Sequence, residues 1–146
     1  GDDTTEEAIR LKRYIKEHKI KNIEFLGFKS GEELEDIIKG ARFTLIPSIW
    51  YDNLPNTALE SFQYSKPVIA SNIGSLPELV VDGENGYLFK PADAEDLIKK
   101  IKLLDDDTVV EKMGAASRRR LESRFSPETH YEALMKVFSE AVKNNK

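Results

Sequence analysis

Asp52 and Glu60 stand eight residues apart in the stretch SIWYDNLPNTALESF, with Asn53, Asn56 and Thr57 between them. An apolar segment, FTLIPS, runs into this stretch, and a helix bearing Ala58, Leu59 and Phe62 leaves it. Spacings of three and four place Asn53, Asn56, Thr57 and Glu60 on the side of that helix opposite the apolar residues. Elsewhere the polar faces mix Lys with Glu, as in EEAIRLKRYIKEH, whereas this one carries no Lys or Arg. Amide, hydroxyl and carboxylate groups near a helix start have a definite chemistry. The unpaired N–H groups and positive dipole end of a helix attract phosphate. A carboxylate about one turn further along can accept hydrogen bonds from vicinal hydroxyls, as acidic residues do with ribose. Together they suit a phosphorylated sugar or a nucleotide; a polar helix face that merely lacks Lys stands equally well on this pattern alone.

Other candidates carry less. Asp105–Asp107 has the composition of an Asp-x-Asp metal motif, but it falls between two helices, where Asp107 is expected to cap the second. His18 ends a charged helix and His130 lies early in the last one, so both read as surface or partly packed residues. Trp50 and Tyr51 suit either a place beside the ligand or a lid over the sheet edge. The basic run from Arg118 to Arg124 reads as a solvated helix face ahead of an anionic-lipid contact. Gly74 suits a tight turn at a strand end, with a phosphate-facing backbone as its second role.

These residues need a scaffold, and the pattern supplies one. TTEEAIRLKRYIKEH opens with a capping-box pattern from Thr4 to Glu7 and reads as a helix. NIEFLGF reads as a short strand, SGEELEDIIKGA as a helix ended by Gly40, and RFTLIPS as a buried strand closed by Pro47. Asn53 or its neighbour is expected to cap the next helix, with Pro55 in its first turn, running to about Tyr64. KPVIAS and GYLFKP are further strands, separated by a loop with one helical turn near Pro77. Three helices follow: one capped by Asp93, one over DTVVEKMGAASRRRLESRF, and one capped by Ser126 over about residues 127–143. The last has an apolar stripe of Tyr131, Leu134, Met135, Phe138 and Val142. Alternating strands and helices predict an α/β domain: a mostly parallel sheet in three Rossmann-like layers, binding ligands at the carboxyl ends of its strands.

Bulk composition narrows the classes. The 146 residues suffice for one domain with a core, and 40% hydrophobic content is ordinary for a globular protein. A net charge of −4 without a dense basic tract argues against a nucleic-acid partner. With no cysteine and two distant histidines, neither a disulfide nor a zinc site is expected. No apolar run approaches the ~20 residues of a membrane span, and the first residues lack a signal-peptide core, so a cytoplasmic location is expected.

The order of motifs is more specific than any one of them. Asp52 and Glu60 are followed by SKPVIA at Ser65–Ala70, by G-x-x-x-E at Gly74–Glu78 and by G-x-N-G-x-L at Gly83–Leu88. This series resembles the nucleotide-sugar-binding half of the retaining GT-B glycosyltransferases often called family 4 or group 1, whose hallmark is a Glu-x7-Glu pair. The resemblance is detailed from about Gly27 to Phe89 and covers nearly the whole chain loosely. It implies a hexosyltransferase using a nucleoside-diphosphate sugar as donor, without a cofactor or an obligatory metal. It implies that Glu60 holds the donor ribose hydroxyls and that Asp52, at the position of the first acidic residue, is the catalytic residue placed against the transferred sugar. The backbone of Asn53, Leu54, Pro55 and Asn56 would face the sugar and diphosphate, Thr57 would bind a phosphate, and Phe28 would contact the base.

Departures from the pattern are informative. Asp52 is one methylene shorter than the usual Glu, and the usual Gly-x-Gly is replaced by NLP, where Pro55 removes one N–H. The strand and helix that carry the diphosphate-clamping cations, and the acceptor-binding N-terminal domain, are expected to precede residue 1. Residues 1–146 then form a single donor-binding domain that is N-terminally truncated and inactive alone. Peripheral membrane contact of the full-length enzyme and the oligomeric state stay open. A GT-B-type nucleotide-sugar epimerase and a non-catalytic flavodoxin-like interaction module are the alternative readings.

Overall fold

The computed structural model describes residues 4–144 and divides the chain into two compact units, Gly1–Ile37 and Ile38–Lys146. In the first unit, helix α1 (Glu6–Glu17) is capped by Thr5, one residue after the expected Thr4, whose hydroxyl accepts from the Ala8 N–H at 3.2 Å. Glu6 and Glu7 in its first turn complement the helix dipole, and Arg10 reaches back to Glu7 at 2.6 Å. His18 lies exposed at its end, with Nδ1 2.9 Å from the Tyr14 carbonyl and its ring stacked on Tyr14. The strand expected over NIEFLGF is not formed among the described residues. An extended segment becomes a strand only when a neighbour completes its ladder, and Ile23, Phe25, Leu26 and Phe28 are instead exposed. Helix α2 (Gly31–Gly40) starts in this unit, and its last turn, with buried Ile38, lies in the second.

The second unit is built on three parallel strands, β1 (Thr44–Ile46), β2 (Val68–Ser71) and β3 (Gly86–Phe89), in the order β1-β2-β3. Thr44 pairs with Val68, and Val68 with Gly86. Central β2 is buried along its whole length, as its unbroken apolar run VIA requires when both faces are covered. The two-residue alternation of a strand then separates two cores. Val68 and Ala70 face a cluster with Ile46, Ala58, Phe62, Leu76, Leu79 and Val80. Ile69 faces the other side, packed with Phe89, Leu104 and Met113. The first cluster is covered by α3 (Asn56–Gln63) and the single turn α4 (Leu76–Leu79), the second by α5 (Ala94–Lys102). Helix α6 (Asp107–Arg124) serves both: Val109, Val110 and Met113 join the second cluster, Leu121 the first. The expected three-layer α/β arrangement is thus present in this unit.

Several local expectations resolve here. Asp93 caps α5 by accepting from the Asp96 N–H at 3.0 Å, and Ser126 accepts from Thr129 N–H at 3.1 Å at the start of α7 (Pro127–Asn144). Asp106 rather than Asp107 caps α6, accepting from both the N–H and the hydroxyl of Thr108. These bonds to Thr108, the hydroxyl first, hold the Asp106 carboxyl below its ordinary pKa. Asp107 pairs instead with Arg42, whose guanidinium also donates to the carbonyls of Leu104 and Asp105, each at 2.8 Å.

Two of the four arginines in the basic run on α6 are tied to carbonyls of the fold. Arg118 donates to the Gln63 carbonyl at 2.6 Å, satisfying the C-terminal end of α3, and Arg120 donates to the Glu78 carbonyl at 2.6 Å. Burial lowers the Arg120 pKa, Arg124 lowers it further, and Glu84 opposes both. Neither a purely solvated face nor a lipid contact describes these two arginines. The apolar stripe of α7 is largely exposed.

Candidate functional site at the carboxyl ends of the strands

Because β1 and β2 are parallel, the chain leaves both at the same end of the sheet. After Ile46 it crosses residues 47–55 to α3; after Ser71 it turns through residues 72–75 to α4. These two loops are fastened together. The N–H and hydroxyl of Ser75 both donate to the Asp52 carbonyl, at 3.3 and 2.9 Å. Gly74 has φ +59°, and a Cβ there would lie 3.0 Å from Asp52 N and 3.1 Å from Asp52 O. Gly74 therefore serves both a left-handed turn and a close backbone approach, and that approach is to Asp52. The loop after β2 is also tied to the next strand, since the Asn72 N–H donates to the Phe89 carbonyl at 2.7 Å.

Helix α3 begins at Asn56, with Pro55 as its N-cap and no side chain capping it. Asn53 is thus not the cap, nor does it share a helical face with Asn56, Thr57 and Glu60. Proline disfavours helical geometry in the residue before it, which keeps Leu54 outside the helix. The Ala58 N–H is taken by the Pro55 carbonyl at 3.0 Å, whereas the amides of Asn56 and Thr57 have no partner within the helix and no capping side chain. Asn56 and Thr57 are exposed at this end, and Glu60 is half-buried about one turn further on. Asp52, Asn53 and Leu54 are exposed in the loop, while Pro55 is buried and anchors its end. Phe28 belongs to the first unit, where it is 81% exposed. Trp50 and Tyr51 are 64% and 83% exposed, so neither is packed as a lid over the sheet edge.

Sequence patterning missed the residues that hold this helix in place. Ser61 is fully buried on α3, donates to the Thr57 carbonyl at 2.6 Å and accepts from the Thr44 hydroxyl of β1 at 2.8 Å. A hydroxyl between Ala58 and Phe62 on the apolar face is the one signal that hints at it. Ser75 gives even less warning, because its partner is a carbonyl 23 residues earlier. Among the described residues, no Lys or Arg forms a hydrogen bond or ion pair with residues 47–60, and no three His, Cys, Asp or Glu residues are grouped to hold a metal. No described helix is long and apolar enough to cross a membrane.

The family model of the glycosyl transferases group 1 matches residues 3–120. An uncharacterised glycosyltransferase of Methanocaldococcus jannaschii is 30% identical over 131 residues, covering 90% of this chain and 37% of that protein. Sucrose-phosphate synthase of Thermosynechococcus elongatus superposes with a TM-score of 0.83 at 25% identity, over 99% of this chain and 37% of that one. HepE of Anabaena, in complex with UDP and glucose, shares the fold with a TM-score of 0.79 at 22% identity, over 90% of this chain and 36% of its own. The chain thus spans about 37% of the length of the first two of these proteins.

Proposed function

The chain belongs to the group 1 glycosyl transferases, with the fold of a GT-B C-terminal domain, and from this premise we propose that it binds the nucleoside-diphosphate sugar donor of a retaining hexosyltransferase. The observation that carries this reading is the convergence of two loops at one end of a parallel sheet: the uncapped start of α3, with Asp52 beside it, is fastened to the turn after β2. Ligands of open parallel sheets bind at such ends. The open amides at Asn56 and Thr57 are donors aimed at where a diphosphate would sit, and they gain strength as charge develops on the leaving group. The Thr57 hydroxyl adds a further donor. Glu60, one turn along, accepts the ribose hydroxyls. Asp52 presents its carboxylate to the transferred sugar, while the backbone of residues 53–56 shapes the wall behind it. HepE was crystallised with UDP and glucose on the same fold, which supports a nucleotide-sugar donor here.

The test is a calorimetric screen of uridine, guanosine and adenosine diphosphates and their hexose conjugates. One base series should bind, and Glu60→Ala should weaken it by about tenfold or more, the effect of losing hydrogen bonds to a charged acceptor. Binding that ignores Glu60→Ala would remove the ribose assignment. Product stereochemistry, read by NMR of the anomeric proton, decides between retention and inversion. No observation favours the epimerase or the interaction-module reading.

A further inference from the structure

A second concavity lies at the other end of the sheet. The loops of the candidate donor site follow the last residues of β1 and β2, whereas the turn at residues 82–85 precedes the first residue of parallel β3. Between that turn, β3 and α6 is a cavity of about 380 Å³. This is within the range of small-molecule sites, which run from about 300 to 1,000 Å³. Its apolar floor includes Met113 and Ala116, both buried on α6. Tyr87 of β3 lines it, with Lys100 Nζ 5.5 Å from the centre of the ring.

The charged groups on its wall set the chemistry. Lys112 and Arg119 are seven residues apart on α6, so they project from one face about 10.5 Å apart along the axis. Neither forms a hydrogen bond or ion pair among the described residues, unlike Arg118 and Arg120 of the same helix. Glu84 lines the same cavity. Lys100 is already engaged with Asp82 at 3.2 Å, so it is not a third free cation. Two unspent cations over an apolar floor, with an aromatic ring and one carboxylate, match a ligand with an anionic group and a hydroxylated body.

We propose that this cavity is a second ligand site, separate from the donor cradle, for a small phosphorylated sugar. Lys112 and Arg119 take the phosphate, Tyr87 packs against the carbon face of the sugar ring, and Glu84 accepts its hydroxyls. The site's own residues carry the inference, which does not depend on the donor assignment.

Isothermal titration of the full chain with inorganic phosphate and with glucose 6-phosphate tests it. Glucose 6-phosphate should bind and phosphate should bind more weakly. Lys112→Met and Arg119→Met should each weaken glucose 6-phosphate binding by about tenfold, the loss of one charge-assisted contact. Both residues are exposed, so the variants should keep the wild-type circular dichroism spectrum. Glu60→Ala should leave this titration unchanged. No binding of either probe would overturn the site, as would binding that Glu60→Ala abolishes and the α6 variants do not. Equal affinity for the two probes would overturn the roles given to Tyr87 and Glu84.

Discussion

Substituting Gly74 by alanine separates two effects that the structure places at one residue. A side chain in the left-handed region costs about 1–2 kcal/mol, and Gly74 has φ +59°. The added Cβ would also lie 3.0 Å from Asp52 N, 3.1 Å from Asp52 O and 3.4 Å from Tyr51 Cα. Relief to an ordinary carbon–oxygen distance of about 3.3–3.6 Å requires the Asp52 loop to retreat by a few tenths of an ångström. Its carbonyl is held by the N–H and hydroxyl of Ser75, the residue next to Gly74, so the retreat strains both bonds. A retreat of a few tenths of an ångström uses up most of the roughly 0.5 Å within which functional groups must be placed, and the strained Ser75 bonds add to it, so donor binding should weaken. Gly83→Ala is the control. Its φ of +81° imposes a similar backbone cost, yet nothing lies within 4 Å of its Cβ position. Urea unfolding should show both variants destabilised by about 1–2 kcal/mol. Calorimetry with the preferred nucleoside diphosphate sugar should show weaker binding for Gly74→Ala alone. Equal binding by the two variants would refute the coupling between the Gly74 turn and the Asp52 loop.

Gly114→Ala should destabilise by about 1–3 kcal/mol in urea unfolding, against the helix-propensity gain of about 1 kcal/mol that alanine normally brings, because its Cβ would fall 2.1 Å from the Ser65 carbonyl oxygen. A more stable variant would show that α6 does not approach that turn so closely. Ser75→Ala removes the hydroxyl but keeps the N–H to Asp52, so it should weaken donor binding by a few-fold, about 0.5–1.5 kcal/mol for one neutral hydrogen bond, with Ser75→Thr restoring it in the same titration. Asp106 has a lowered pKa in the fold, chiefly through the Thr108 hydroxyl. Its cap therefore contributes stability above the ordinary Asp value of about 3.9, and that contribution is lost as the pH falls through the lower folded pKa. The stability gap between wild type and Asp106→Asn, followed by thermal melts from pH 7 downward, should close on that acid side and hold steady above it.

Much of this architecture can be read from residue order because the physics behind it is local. Strand β2 announces itself as VIA between a proline and a serine, α5 and α7 by their caps and periodicity, and α6 by its periodicity, its cap lying one residue before the expected Asp107. The pairing of Asp52 with Glu60 across a loop and a helix start, and the motifs after it, point to the family without coordinates. The cap preference of asparagine favours Asn53 locally, whereas the constraint imposed by Pro55 on the backbone before it decides where the helix begins. NIEFLGF looks like a strand by composition, yet a ladder depends on a neighbouring chain segment, which composition cannot supply. The fastening of Ser75 to Asp52, of Ser61 to Thr44 and of Arg118 to Gln63 joins residues 23, 17 and 55 positions apart. Such contacts exist only once loops, helices and strands distant in the chain have been packed together, so residue types along the chain name the chemistry and the packed sheet and helices determine which groups meet.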